Sequence, residues 1–308
     1  MKLENFEFDG CDGKKITGYL WKSAGKPKAV LQISHGQAEH AERYDGFAQA
    51  LNKAGYAVYA NDHRGHGKTA GSVENCGFFA EENGWELVQD DMYELTKVIK
   101  KENKKLPVFL MGHSMGSFLT RTYLFKYSDE INGAILSGTA GDPGLLGAAG
   151  KLVATIEGKI KGPEKPSPLM DKLSFGAFNN AFKPNRTEFD WLSTVNEEVD
   201  KYIADPYCGN VHSNSYFKQM LQALKESNDD KNIEVIRKDL PIYLFSGAVD
   251  PVGMNTKGVT ETFQKYIKAG IQDVSLKFYG QCRHETLNEF NKKEVYQDVI
   301  NWLDSKYK

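Results

Sequence analysis

Gly112-His113-Ser114-Met115-Gly116 fits G-x-S-x-G, and it lies between two segments of different period. Pro107-Val108-Phe109-Leu110-Met111 is a short apolar run suited to a buried parallel strand, whereas Phe118, Thr122 and Phe125 recur at helical spacing. Ser114 therefore falls where a strand turns sharply into a helix. Glycine at 112 and 116 removes side-chain bulk two residues either side of it, and the helix start points free N–H groups toward a reacting oxygen. The arrangement implies a nucleophilic serine on an elbow. A chance match in a glycine-containing turn is the competing reading, and context decides between them.

The context required is an acid and then a histidine, each leaving a later strand. Pro241-Ile242-Tyr243-Leu244-Phe245 reads as a buried strand, and Ser246-Gly247-Ala248-Val249-Asp250-Pro251 leaves it carrying an aspartate. Val274-Ser275-Leu276-Lys277-Phe278-Tyr279 alternates like the next strand, and Gly280-Gln281-Cys282-Arg283-His284-Glu285 leaves it carrying a histidine. Serine is a poor nucleophile at neutral pH, so His284 would take its proton and later return it to the leaving group. Asp250 would fix the imidazole tautomer and stabilise the imidazolium. Taken alone, Asp250 is a turn residue before proline and His284 a loop histidine; their joint order and placement favour the catalytic reading.

Acyl transfer also needs donors for the developing oxyanion, one after the nucleophile and one after the third strand. Ala29-Val30-Leu31-Gln32-Ile33-Ser34 reads as that strand, and His35-Gly36-Gln37-Ala38-Glu39-His40 follows it. The backbone N–H groups of Met115 and Gln37 fit the two roles. Histidine and glutamate in this loop have ligand chemistry, but no H-x-x-x-H or paired-cysteine spacing accompanies them. No metal and no cofactor is expected.

With these blocks in place, the chain resembles the α/β-hydrolases of the monoacylglycerol lipase and lysophospholipase group, which is grouped with serine aminopeptidases. The resemblance rests on His35 to His40 with Arg43-Tyr44, Asp62-His63-Arg64-Gly65-His66-Gly67, the elbow, Ser246-Gly247 with Asp250-Pro251-Val252-Gly253, and His284-Glu285 with Asn288-Glu289. Phe189-Asp190-Trp191-Leu192-Ser193, Tyr202, Asp205-Pro206 and Cys208-Gly209 resemble the bacterial lysophospholipase-like branch. The resemblance implies a mostly parallel sheet flanked by helices, an inserted helical cap, and hydrolysis of carboxylic esters of monoacylglycerols or lysophospholipids. An aminopeptidase-like amidase with the same triad, and a catalytically idle fold that binds small molecules or partners, remain as alternatives. The amidase would need cap carboxylates to hold an ammonium, and Glu197, Glu198, Asp200 and Asp205 are the candidates.

Composition agrees with an enzyme acting on a small molecule. The 308 residues suit one α/β domain with an insertion, and 39 basic against 41 acidic residues give no field recommending nucleic acid. Lys100, Lys101, Lys104 and Lys105 fall near a helix end, where cations favour the dipole. Cys11, Cys76, Cys208 and Cys282 have no paired spacing, which suits reduced thiols in the cytoplasm. Cys282 is an incidental neighbour of His284 or a redox-sensitive thiol. Met1-Lys2-Leu3-Glu4-Asn5-Phe6 has no apolar core of a signal peptide, and no later run approaches a membrane span.

The remaining elements follow from punctuation and period. Residues 3–9 and 15–22 alternate as a hairpin, a helix near 41–54 stops at Gly55, and a strand covers 56–60. Asp62 to Gly67 lacks the ending of a P-loop and is expected to hold a turn, with His63 and His66 as hydrogen-bonded structural residues. Val88, Leu95 and Ile99 mark a core-facing helix, residues 131–136 another strand, and Val295, Val299 and Trp302 a final helix with Asn291 as N-cap and Glu294 three residues on.

Between about Asp142 and Arg237 the pattern becomes helices broken by Gly and Pro, interrupted at Gly162-Pro163-Glu164-Lys165-Pro166-Ser167-Pro168. Residues 142–237 thus form the cap, and 1–141 with 238–308 the core. Leu145, Leu152 and Ile156 share a helical face with Lys151 and Lys159 nearby. That face is expected to pack over the pocket, with transient contact to a membrane surface as the alternative. Phe175, Phe178, Phe182, Trp191 and Tyr216 are candidates to line an acyl site, against an ordinary core role. Because the triad loops come from the core, changes in the cap are expected to alter acyl selectivity rather than ester chemistry.

Overall fold

The computed structural model describes residues 3–307; Met1, Lys2 and Lys308, which bear on the expected amino-terminal reading and on the outer bounds of the core, lie outside the described residues. Eight strands form one sheet: β1 (Leu3–Asp9), β2 (Lys15–Trp21), β3 (Ala29–Ser34), β4 (Tyr56–Asn61), β5 (Val108–His113), β6 (Gly133–Ser137), β7 (Ile242–Gly247) and β8 (Val274–Tyr279). Their order is β1-β2-β4-β3-β5-β6-β7-β8. The hairpin β1–β2 and the β2–β4 pair are antiparallel, and every pair from β4 through β8 is parallel.

Helices cover both faces, which explains why β3, β4, β5, β6 and β7 are buried along their whole lengths and read as continuous apolar runs. The strand period of two sorts their side chains between two cores. Val108, Leu110, Leu136 and Leu244 pack toward α2 (Gly84–Glu102), α3 (Met115–Tyr127) and α9 (Lys257–Lys268). Phe109, Met111, Ile135 and Phe245 pack on the other side toward α1 (Asp45–Lys53) and α10 (Lys292–Lys306).

Between β6 and β7 the chain leaves the sheet for five helices: α4 (Gly144–Lys161), α5 (Pro168–Phe175), α6 (Asn196–Ala204), α7 (Asn214–Glu226) and α8 (Asp230–Glu234). α4 packs along α7. Where the insertion enters α7, it is tied to the core: Ser213 N–H donates to Gly77 O at 2.9 Å, and the Nε2 atoms of His212 and His66 lie 2.9 Å apart.

Most expected elements occur within a residue or two of their reading. The helix near 41–54 begins as a 3-10 turn, Ala41–Tyr44, before α1, and Gly55 follows its end with φ of 89°. Two expectations need correction. Asn291 holds the N-cap position of α10 as expected but makes no side-chain cap bond, because its Oδ1 is turned to the Cys282 thiol and its Nδ2 donates to Glu294. The α4 stripe does not pack over the pocket: Leu145 is 89% exposed and Leu152 60%, because α4 meets α7 with its other face.

Candidate active site

The parallel register brings the carboxyl ends of β3, β5, β6, β7 and β8 to one edge, with Ser34 opposite Gly112, His113 opposite Ser137 and Gly247 opposite Tyr279. Ser114 sits at that edge between β5 and α3, with φ 52° and ψ −122°. Such a backbone is costly for a residue with a Cβ, and close packing enforces it. A Cβ on Gly112 would lie 2.1 Å from Gly116 O, and one on Gly116 would lie 2.1 Å from Ser34 O. Only glycines permit the turn, which leaves the Ser114 side chain partly exposed.

Asp250 and His284 leave β7 and β8 and are both buried, so neither is the surface residue that its local sequence would allow. His284 Nδ1 lies 2.9 Å from Asp250 Oδ2. A carboxylate only accepts, so Nδ1 carries the proton and Nε2 is free to take another. Asp250 is held in turn by Ser246 Oγ at 3.0 Å and Val252 N–H at 2.9 Å. Burial, the largest influence on His284, works against its charged form, but the Asp250 charge and hydrogen bond outweigh it and raise the imidazole above its usual range. Burial likewise opposes the Asp250 charge, and His284 with the two donors overcomes it, holding the carboxyl low.

Ser114 and His284 open into one cavity of about 660 Å³. No hydrogen bond joins them among the described residues. Gln37 lines the same cavity, its backbone N–H making no hydrogen bond among the described residues, and Met115, as the first residue of α3, has no acceptor within its own helix. These are donors in reserve for an anion.

The turn that carries Gln37 is braced by groups that sequence reasoning did not connect. Glu39 accepts from Gly36 N–H at 2.5 Å, Tyr44 OH at 2.8 Å and Arg43 Nη1 at 2.6 Å. Arg43 also forks onto both oxygens of Glu285, at 2.7 and 2.8 Å. Burial is the largest influence on both glutamates and favours their neutral forms, yet the Arg43 charge keeps both carboxyls below their usual range. One guanidinium thereby links the turn after β3 with the residue next to His284. The block Glu39, Arg43 and Glu285 was visible as part of the resemblance, but nothing local pairs residues 242 apart.

Asp62 to Gly67 does hold a turn, as expected. Asp62 accepts from Tyr19 OH, Ala41 N–H and Lys68 N–H, His63 N–H donates to His35 Nε2, and burial drives His66 down to about 3. His113, unremarked in the sequence beyond its place in the elbow, lies tilted against His284 with ring centroids 4.7 Å apart, and burial followed by the His284 charge lowers it to about 4. Cys282 is fully buried and its thiol is pushed up to about 12 by burial, which makes it a poor nucleophile.

Ligand-capable atoms of His40, Asp205 and Cys208 lie within 4.8 Å of one another. His40 and Asp205 already satisfy each other at 2.8 Å, and the nearby Arg43 charge acts on Asp205 and Cys208, so a metal cation there would meet a resident guanidinium.

Of the five aromatics proposed as an acyl lining, Phe175 and Trp191 face the cavity. Phe178 sits behind them against Trp191 at 5.1 Å, Phe182 lies under Arg283 at 4.3 Å, and Tyr216 is fully buried. The four carboxylates considered for an ammonium are elsewhere: Glu198 pairs with Lys292 and Lys201, Asp200 with Arg186, Asp205 with His40, and Glu197 is exposed outside the cavity. The cavity instead carries Asp171 and Glu188 on its insertion side.

Residues 25–291 match the family described as serine aminopeptidase, S33. The chain is 28% identical to the monoacylglycerol lipase of Mycolicibacterium smegmatis over 298 residues, covering 97% of this chain and 96% of that protein. It is 26% identical to the rat (Rattus norvegicus) monoglyceride lipase, covering 95% and 88%. Among solved structures, a thermostable carboxyl esterase from Bacillus coagulans in complex with glycerol superposes with a TM-score of 0.92 at 26% identity, over 100% of both chains.

Proposed function

The chain belongs to the serine aminopeptidase S33 family of α/β-hydrolases and is a carboxylic ester hydrolase; from that premise we propose that it cleaves esters of single-acyl-chain lipids through an acyl-enzyme on Ser114. The observation that carries the reading is the opening of Ser114, Gln37 and His284, the last backed by buried Asp250, into one cavity with aromatic walls. Ser114 Oγ bonds to the ester carbonyl carbon as its proton passes to His284 Nε2. The carbonyl oxygen takes the negative charge, which the N–H groups of Gln37 and Met115 receive. Collapse breaks the bond to the alcohol oxygen, and His284 gives that oxygen its proton. Water then repeats the sequence on the acyl-enzyme, releasing fatty acid and restoring Ser114.

Residues 142–237 act as the cap in this reading, with Phe175 and Trp191 supplying its apolar wall. Monoacylglycerol is the favoured substrate, since the relatives bear that name, and lysophospholipid is the second. Leu145, Leu146, Leu152 and Ile160 stand exposed on α4, which suits transient contact with the lipid surface that presents such substrates. No helix among the described residues is long and apolar enough to cross a membrane. Four free thiols agree with a cytoplasmic setting, and the near-balance of charges speaks against a nucleic-acid partner.

Asp171 and Glu188 favour a second reading, an aminopeptidase-like amidase. Burial, then the Glu188 charge, raises the Asp171 carboxyl, an environment that a substrate ammonium would relieve. A panel of nitrophenyl esters from butyrate to laurate, monoacylglycerol, lysophosphatidylcholine and an aminoacyl naphthylamide separates the readings. Faster turnover of monoacylglycerol than of the naphthylamide is expected; the reverse order would replace the first reading by the second, and a wild type that neither turns over any of them nor reacts with a fluorophosphonate would leave an idle fold.

A further inference from the structure

The oxyanion turn belongs to the core, yet the insertion supplies much of what holds it. Tyr202 OH and Gly209 N–H both donate to Ala38 O, each at 2.9 Å, and Tyr216 OH donates to the side-chain Oε1 of Gln37 at 2.8 Å. The turn needs such restraint, because Ala38 takes a left-handed φ of 53° that a residue with a Cβ rarely adopts. Tyr216 is 0% exposed, and its ring is seated by His212 at 4.2 Å and Phe79 at 5.1 Å. Its hydroxyl has one proton to give and two acceptors in reach, Gln37 Oε1 and, at 3.3 Å, Met220 Sδ. An amide oxygen is much the stronger acceptor, so the proton goes to Gln37.

We infer that Tyr216 is a positioning residue: by fixing the Gln37 side chain it sets the direction of the Gln37 N–H, so α7 contributes to turnover and not only to the choice of acyl chain. The inference rests on the proposed roles of Gln37 and Ser114. An N–H aimed at the oxyanion acts when charge develops, not when the neutral ester binds, so losing its alignment lowers kcat with little change in KM. Packing alone would require the ring and leave the hydroxyl dispensable.

Tyr216→Phe keeps the ring and removes the hydroxyl, and Gln37→Leu removes the acceptor while keeping the backbone N–H. Each is expected to lower kcat on nitrophenyl butyrate about tenfold with KM within about twofold, and to weaken a trifluoromethyl ketone, which forms the tetrahedral adduct, by a similar factor. Tyr216→Phe in the Gln37→Leu background should add nothing further, since the pair acts through one bond. Unchanged kcat, an effect confined to KM, or independent multiplication of the two losses would overturn the inference. Should Tyr216→Phe fail to fold, Gln37→Leu alone decides the matter by the same kcat and adduct measurements. A wild type that is inert, or a Ser114→Ala variant that still turns over, would instead remove the catalytic reading beneath it.

Discussion

The carboxyl edge of the sheet and the helical insertion face the same cavity but are built by different rules. At the sheet edge, the proposed triad residues Ser114, Asp250 and His284 leave strands of fixed register, the buried β5 and β7 and the half-buried outer strand β8, which place them with little freedom. In the insertion, helices are joined by Gly- and Pro-rich segments, and its long helix α4 leaves Leu145 and Leu146 nearly bare. The difference separates chemistry, which tolerates no slack, from recognition of a flexible apolar chain. Tyr202 and Tyr216 cross that division, because they reach from the insertion onto the oxyanion turn.

The largest effect should come from the sheet edge. Ser114→Ala is expected to remove fluorophosphonate labelling and lower turnover by roughly four to six orders of magnitude, as loss of a triad nucleophile does. Labelling that persists in the variant would place the nucleophile elsewhere. Asp250→Asn should cost about four orders, because an amide nitrogen facing His284 Nδ1 would favour the wrong tautomer. Asp273→Asn is the control: Asp273 pairs with Lys306 at 2.5 Å on a half-exposed site and should leave kcat unchanged. If Asp273→Asn damages activity and Asp250→Asn does not, the acid lies on the other loop.

The same comparison divides what the sequence disclosed. The Ser, Asp and His candidates were legible because each lies within a few residues of the end of a strand, apolar in β5 and β7 and alternating in β8, where local pattern and chemistry coincide. Pairing over distance was not. Arg43 with Glu285, and Tyr216 with Gln37, join residues whose neighbours in sequence give no hint of the partner. The α4 stripe shows a second limit, since Leu145, Leu152 and Ile156 do share a face by period, but period cannot say what covers that face. Three of the five aromatic candidates miss the cavity for a related reason: Phe175 and Phe178 are three residues apart, yet of the two only Phe175 reaches it. The expectation that changes in the cap leave ester chemistry possible while altering the acyl chains accepted followed from assigning each loop to one region, and the proposed role of Tyr216 would add an effect of the insertion on turnover.

A smaller effect is expected from pH. The proposed mechanism requires neutral His284, and the Asp250 charge raises its imidazole above the ordinary 6.5 against the pull of burial. The acid limb of kcat/KM should therefore have its midpoint above 6.5, with activity gained as pH rises through it. For stability the signs oppose one another. The His284 contribution is complete below 6.5 and is lost as pH rises through the raised folded value, whereas the Asp250 contribution is present above 3.8 and is lost as pH falls through its depressed folded value. Histidine NMR on Asp250→Asn should find the imidazole at or below 6.5, since burial, the largest influence, would then be opposed only by the lesser charges of Glu285 and Glu39. An imidazole still raised in that variant would assign the shift to Glu285 and Glu39 instead.

The smallest effect should be graded, and it belongs to the insertion. Phe175 and Trp191 both face the cavity and stack with ring centroids 6.0 Å apart, but they are anchored differently. Trp191 lies 5.2 Å from the His284 ring, backs onto Phe178, and its carbonyl accepts from His284 N–H at 3.3 Å. Its loss would disturb the seat of the base, so Trp191→Ala should depress all esters together and lower the melting temperature. Phe175 makes no hydrogen bond or ring pair with His284 among the described residues and packs on Phe178 and Trp191, so truncating it removes apolar wall and leaves the hydrogen bonds of His284 in place. Each methylene that leaves that wall forfeits about 0.8 kcal/mol, so Phe175→Ala should lower kcat/KM little for butyrate and progressively more toward laurate. Measured beside melting temperature, a uniform loss at Phe175 would make it a packing residue and move the acyl path to another wall, while a graded loss at Trp191 would free it from the His284 seat.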